Sequence, residues 1–349
     1  MVQSIDEQLN TITQDVADTY TALGAKGATL PAFGSRGTKN LASTVATVPS
    51  SDPVNKVFDV VDGVVSKHVV TFNENSFDGV TSISNYGLQS AYYSGQEGKS
   101  NPGGVIKFNS LTSVGMFGLY EAFKYCNITS VSFNSLTEIN KQYALSNAFA
   151  YNKKLVSASF PSLTSISGQF SFQYVFDDCD SLTSVSFPNL ETVNGYCCFR
   201  FCFQSCDSLV SVSFPSLTSI AGDNAANYMF NRCYRLSSVD FSSLETIGDS
   251  TATYMFYSCG SLTTVSFPAL TTVGSSGLSS CFYECKALKT ISFPALTTVK
   301  SNSFSTYTFS GCKALTEIHF RADMQATVEA LSGYASKWGA TNATIYFDL

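Results

Sequence analysis

Leu209-Val210-Ser211-Val212-Ser213-Phe214-Pro215-Ser216-Leu217-Thr218-Ser219-Ile220 is the stretch that decides the fold. Apolar residues stand at 209, 212, 214, 217 and 220, with Ser and Thr between them. A polar connector follows, then Phe230 and Cys233. The skeleton repeats along most of the chain. Its marker phenylalanines are Phe108, Phe133, Phe160, Phe187, Phe214, Phe241, Phe267, Phe293, Phe320 and Phe347, at steps of 25, 27, 27, 27, 27, 26, 26, 27 and 27 residues. A fixed period of this length is the signature of a solenoid.

Each unit reads as one coil. Leu-x-x-Val-x-Phe, as in Leu182 to Phe187, alternates apolar and hydroxyl residues and predicts a short strand with Val and Phe facing inward. Pro often follows (Pro161, Pro188, Pro215, Pro268, Pro294). It cannot donate to a ladder, so it ends the strand at a corner. The Leu-Thr-x-Ile half then turns back to the core. The connector supplies a third side that ends in Phe and Cys three apart, as in Phe176 and Cys179, or Phe256 and Cys259. No coil buries its own core, so stability is a sum over neighbouring coils. The prediction is a mainly β repeat solenoid of about 27-residue units, whose nine intervals give a strand ladder roughly 45 Å long.

These residues resemble the leucine-rich repeat superfamily, and within it the BspA-like repeats. The pattern that carries the resemblance is Leu209-x-x-Val212-x-Phe214-Pro215-x-Leu217-Thr218-x-Ile220 followed by Phe230-x-x-Cys233. The resemblance covers about 240 residues. It implies a right-handed coil and a surface-exposed recognition or adhesion role without catalysis. The chain departs from the pattern by inserting Ala221 to Met229 between Ile and Phe, which lengthens the connector.

Outside the repeats the chain is divided as follows. In residues 5 to 23, Ile5, Leu9, Ile12, Val16, Thr19 and Leu23 fall at steps of 4, 3, 4, 3 and 4, a heptad seam. Such a short helix needs a partner, either a neighbouring surface or further copies of itself. Thr38 to Val48 is a second helical segment, so residues 1–50 are expected to form a helical attachment and oligomerisation module, and 51–56 a linker. Lys26-Gly27-Ala28-Thr29-Leu30-Pro31, the helical segments and the Ser/Pro linker resemble N-terminal segments of tail and fibre proteins in phages of gut bacteria. That resemblance implies anchoring to other virion proteins through residues 1–50. Residues 57–104 read as a β cap and a degenerate first repeat, with a turn at Asp62-Gly63, repeat residues Phe77, Val80 and Ile83, and a polar loop from Ser94 to Gly104. The repeats proper run over 105–320. Residues 321–349 form a cap: a helix from Asp323 to Trp338, capped by Asp323, then a strand at Thr344 to Phe347.

Charged residues make up only 13 % of the chain and the net charge is -6. Lys and Arg are scattered, so no nucleic-acid partner is expected. No apolar run reaches about 18 residues, so no membrane insertion is expected. Met1 to Asn10 lacks a basic region and an apolar region, so the sequence reads as made in a cytoplasm without a secretory signal.

Of 11 cysteines, Cys126, Cys179, Cys206, Cys233, Cys259, Cys285 and Cys312 share one repeat phase. That phase points to a ladder of buried free thiols. Cys197, Cys198 and Cys202 lack paired spacing and a nearby His, which argues against a metal site. No metal or other cofactor is expected. Catalytic signals are also missing. His68 and His319 are the only histidines, with no aligned nucleophile, and Asp177-Asp178-Asp180 reads as a solvated connector corner. The chain is not expected to be an enzyme. The candidate binding residues lie on the outward ladder face: Ser186, Ser213, Asp240, Ser266, Lys289, Ser292, Glu317 and His319. Connector aromatics Tyr174, Tyr196, Phe199, Phe201, Tyr228 and Tyr254 are expected to fill the wide coil. The function expected from sequence is a non-enzymatic, self-associating phage virion fibre or appendage on the virion surface, whose repeats bind a bacterial surface protein or glycan. The alternatives are a purely structural decoration protein and a bacterial adhesin.

Overall fold

The structure is a computed structural model that describes residues 60–61, 64–65, 71–93 and 103–349. The seam Ile5, Leu9, Ile12, Val16 and Leu23, the 51–56 linker, and residues 94–102 of the polar loop lie outside the described residues. The end of that loop is a strand, since Gly103–Phe108 joins the main sheet.

The described chain is a parallel β-solenoid of about ten turns at about 27-residue spacing. One side is a sheet of 11 strands, from Thr71–Phe72 to Thr344–Phe347, each paired with the next coil. Register is kept strictly: Ser211 faces Ser238, Val212 faces Val239, and Ser213 faces Asp240. The second side is a sheet of 7 two-residue strands, from Glu138–Ile139 to Thr298–Val299. Val60–Val61 and Val64–Val65 form a separate antiparallel pair.

The third side is neither strand nor helix. Its backbone turns left-handed at every fourth residue, as at Cys197 (φ 49°), Phe201 (φ 55°) and Ser205 (φ 54°). The N–H groups of Phe199, Phe201, Phe203 and Ser205 bond the next coil at Ala225, Asn227, Met229 and Asn231 (2.8, 3.1, 2.9 and 2.8 Å). The N–H groups between them close local turns, such as Arg200 to Cys197 and Cys202 to Phe199 (3.4 and 3.3 Å). Each non-glycine residue held at positive φ costs roughly 1 kcal/mol or more. Leaving that buried backbone unpaired costs more, and the alternating pattern satisfies it.

Two columns of rings run through the core. Phe214 lies 5.4 Å from Phe187 and 5.6 Å from Phe241, with interplanar angles of 15° and 8°. Phe230 sits in the second column, 5.3 Å from Phe203 and 5.5 Å from Phe256. Beside them runs the thiol column. Each Sγ donates to a carbonyl of the preceding coil: Cys179 to Phe149 (3.2 Å), Cys206 to Phe176 (3.1 Å), Cys233 to Phe203 (2.9 Å), Cys259 to Phe230 (3.1 Å), Cys285 to Phe256 (3.1 Å) and Cys312 to Phe282 (3.0 Å). Cys126 does the same to Tyr92 (3.3 Å). Asn152 occupies this phase in one coil, and its Nδ2 reaches the Phe123 carbonyl at 2.7 Å. The position therefore requires a short donor that completes a buried carbonyl, and both side chains provide one.

All 11 cysteines are free and buried. Burial pushes the Cys126 and Cys233 thiols up to about 12, so they stay protonated and unreactive at neutral pH. The native protein at pH 8 is expected to take up almost no label from a small disulfide reagent. The protein unfolded in guanidinium should take up 11 equivalents. Rapid stoichiometric labelling of the native chain would overturn the described thiol column.

The C-terminal segment corrects the expected single helix. Ala322–Met324 is a 3-10 turn, Gln325–Glu329 a short helix, and Tyr334–Gly339 a second 3-10 segment. Gly333 at φ 83° and left-handed Lys337 and Trp338 break the run. Asp323 caps nothing; it receives the Arg321 guanidinium at 2.9 and 2.6 Å. Val328 and Trp338 are still fully buried over the last coil.

Candidate functional site

The long sheet offers the most regular surface. Its inward residues Val185, Val212, Val239 and Val265 are buried, while Ser186, Ser213, Asp240, Ser266 and Lys289 are exposed. Ser292, Glu317 and His319 are half-buried. Ser186, Ser213, Asp240, Ser266, Ser292 and His319 form one column, because consecutive coils align them in register. Glu317 continues the neighbouring column from Thr290. Lys289 lies at the strand entrance, where the Thr316 N–H bonds its carbonyl at 3.0 Å.

Two polar contacts tie this column together. The Ser213 hydroxyl donates to Asp240 at 2.8 Å. His319 Nδ1 is 2.9 Å from an Asp348 oxygen, its Nε2 is 3.6 Å from Glu317, and its ring stacks on Tyr346 at 5.0 Å. His319 is thus held by carboxylates and a ring rather than simply facing water.

The corners of the coils carry a different set of hydroxyls, and these are spent internally. Ser162 donates to the Asn134 carbonyl, Ser216 to Pro188 and Ser243 to Pro215 (2.7, 2.8 and 2.6 Å). Thr164, Thr218 and Thr271 donate to the preceding coil at 3.0, 3.2 and 3.1 Å. Abundant Ser and Thr therefore serve two roles that composition alone cannot separate: corner residues clamp adjacent coils, and ladder residues face outward.

The turn side changes the reading of the aromatics. Of the six expected to fill the coil, only Phe199 is buried. Tyr174, Phe201, Tyr228 and Tyr254 are half-buried on the outer surface, stacked face to face at 4.8, 4.8 and 4.9 Å. Tyr196 is 45 % exposed. The left-handed position every fourth residue aims these rings outward while their neighbours point in. A second outer column holds Phe117, Tyr143 and Phe170 at 4.7 and 4.9 Å. Ring faces inside these columns are covered by the next ring, so a sugar cannot stack on them.

The Asp177 corner also differs from expectation. Asp178 and Asp180 bond Lys153 Nζ at 2.6 and 3.0 Å, but Asp177 is only 5 % exposed. Burial pushes its carboxyl up to about 6, against the Gln204 amide that bonds it at 3.0 Å. A raised folded-state pKa means that the folded chain binds an extra proton between about pH 4 and pH 6. Stability from this group is present below pH 4 and lost as pH rises through about 6. Asp177→Asn is expected to raise stability at pH 7 by about 2 kcal/mol and to flatten the slope between pH 4 and 6. Denaturant unfolding at several pH values checks this; an unchanged slope rejects it.

Among the described residues, no group of three or more His, Cys, Asp and Glu is placed to hold a metal ion, and no helix is long and apolar enough to cross a membrane.

Comparison with known proteins agrees with this architecture. No curated protein matches the chain in sequence. Among solved structures, the repeats are similar to a leucine rich cell surface protein from Faecalibacterium prausnitzii A2-165, at 17 % identity and TM-score 0.30 over 77 % of this chain and 86 % of that one. They are also similar to the pneumococcal vaccine antigen PcpA, at 15 % identity and TM-score 0.30 over 77 % and 85 %. At these scores neither likeness bears on what the chain binds. The family model is more specific: a BspA type leucine rich repeat region in 6 copies matches residues 106–202, 172–306 and 278–331. With those matches spanning most of the solenoid, the chain belongs to the BspA type leucine rich repeat family.

Proposed function

We propose that the chain is a non-enzymatic recognition protein whose solenoid binds a protein or glycan on a bacterial surface. The observation that carries this reading is the long ladder face. The hydroxyls of Ser186, Ser266 and Ser292 project from a rigid sheet with no hydrogen-bond partner among the described residues, whereas corner hydroxyls such as those of Ser162, Ser216 and Ser243 are engaged. Such a surface is polar and pre-organised, so a ligand need not order it on binding.

In this reading residues 1–50 attach the chain to its carrier and to other copies of itself. Their resemblance to phage tail and fibre segments makes the carrier a virion, with the repeats displayed on its surface. Deletion of residues 1–50 is then expected to abolish incorporation into particles; normal incorporation sinks the virion reading and leaves the recognition reading intact.

The recognition reading itself is tested with the full chain on bacterial cells. Saturable binding is expected, and Ser186→Arg with Ser213→Arg and Ser266→Arg should weaken it about tenfold or more by filling the face with bulk and charge. Absence of saturable binding to any host-range strain favours a purely structural decoration protein.

A further inference from the structure

The short side of the solenoid is interrupted at one place. Ser82–Ile83 pairs with Ser113–Val114, and Glu138–Ile139 pairs with Ser165–Ile166, but these are two separate sheets. Between later coils the Thr164 N–H bonds the Thr137 carbonyl at 2.8 Å and the Ser167 N–H bonds Ile139 at 3.0 Å. Among the described residues, no equivalent bonds run from Thr137 and Asn140 back to Thr112 and Val114. The break coincides with a longer corner: two residues lie between Val114 and Phe117, and three lie between Ile139 and Tyr143. The long sheet and the turn side remain paired across the same two coils, as in Phe108 with Phe133 and Phe117 with Gln142. The opening is therefore local and framed by rigid structure.

A cleft of about 260 Å³ occupies the break. Its polar lining includes a group that only donates, a group that only accepts, and hydroxyls and amides between them. Lys141 contributes an ammonium with no ion pair among the described residues. Asn85 keeps its NH2 group while its Oδ1 accepts the Met116 N–H at 2.8 Å. Glu138 contributes a carboxylate that Asn140 Nδ2 reaches at 2.5 Å. Ser84 and Thr112 also line it, the Thr112 hydroxyl donating to the Thr81 carbonyl at 3.1 Å. Open strand-edge carbonyls and N–H groups add both kinds again.

We propose that this cleft binds one pyranose unit of a neutral glycan. A sugar hydroxyl both donates and accepts, so it serves interleaved donor-only and acceptor-only groups that a simple anion or cation serves only in part. The volume falls just below the range of drug-sized pockets, which suits a single ring. The ring faces on the turn side are already covered, so hydrogen bonding at this break, rather than aromatic stacking, is where sugar recognition is available. The proposal rests on the recognition reading and moves its glycan contact off the ladder face.

The test is an NMR titration of the full chain with the methyl glycosides of glucose, galactose, mannose and N-acetylglucosamine. Saturable shifts of the amides at 112–115 and 137–141 are expected for at least one of them. Glu138→Ala and Lys141→Ala, both at exposed positions, should each weaken binding about tenfold. Lys313→Ala, at an exposed position in a distant coil, should leave it unchanged. No saturable shift, shifts confined to other coils, or binding that survives both substitutions overturns the proposal. Cell binding by a chain that shows no sugar shifts overturns this site alone and leaves the recognition reading standing.

Discussion

Phe214→Ala is expected to lower the unfolding free energy by about 3–5 kcal/mol, the range for emptying a fully buried aromatic site. Phe214 is fully buried and its ring is covered on both faces by Phe187 and Phe241. The edge of Phe199 meets it at 6.3 Å, so the loss also reaches the turn side. Neighbouring coils cannot close the gap, because ladder hydrogen bonds on both sheets fix their separation. Urea unfolding reads the effect as a lower midpoint. Phe347→Ala supplies the control. It is the same residue type at the same repeat phase, but it is only partly buried at the end of the stack. Its loss is expected to cost roughly 1 kcal/mol, in proportion to the smaller apolar area removed from contact. Equal effects at the two positions would contradict the described stack.

Gly222→Ala is the second large effect. A Cβ at Gly222 would lie 2.5 Å from the Gly195 carbonyl oxygen and 2.6 Å from the Asn194 carbonyl carbon. Those atoms are backbone in the preceding coil and cannot rotate away. Gly168, Gly195, Gly248 and Gly274 meet backbone of the coil before them in the same way, with nearest backbone contacts of 2.4, 2.6, 2.7 and 2.5 Å. Relief requires that two coils separate, which stretches the bond from the Ala221 N–H to the Val193 carbonyl, now 3.0 Å. The expected cost is about 3 kcal/mol, the upper end for overpacking, since no side chain can yield. Hydrogen exchange at Ala221 and Asn194 should accelerate before that of the long sheet. Gly260→Ala, with open space around its Cβ position, is expected to be nearly neutral. A neutral Gly222→Ala would mean that the coils are not as closely spaced as described.

The glycine column is also written in the sequence. Gly168, Gly195, Gly222, Gly248 and Gly274 follow one another at 27, 27, 26 and 26 residues, the same period as the phenylalanines. Apolar periodicity does not expose it, because a glycine signals a close approach only once a neighbouring backbone is placed beside it. The outer aromatics were misassigned for a related reason. Tyr174, Phe201, Tyr228 and Tyr254 share a repeat phase, and in most repeats a shared aromatic phase lies inside. Here the phase coincides with a left-handed residue in every coil, from φ 55° to 57°, which turns the side chain outward. Nothing in a tyrosine announces positive φ. Asp177 shows the same limit: three acidic residues within four positions look solvated, yet one of them accepts a hydrogen bond from the Gln204 side chain of the next coil.

The sequence by itself determined the coil. A period of about 27, alternation of Val and Phe with Ser, and Pro at the corners require stacked short strands around an apolar axis, because each of those signals is local and is restated in every unit. The shared phase of seven cysteines likewise marked a column, though the carbonyls it completes became visible only once the coils were stacked. Tertiary structure decided what depends on contact between coils: the turn ribbon of the third side, the outward stacks of rings, the glycine spacing and the break between Val114 and Ile139. Each of these is a relation between residues about 25 or more apart, set by hydrogen bonds and close approach across the stack, and such relations leave no fixed mark on the letters of a single repeat.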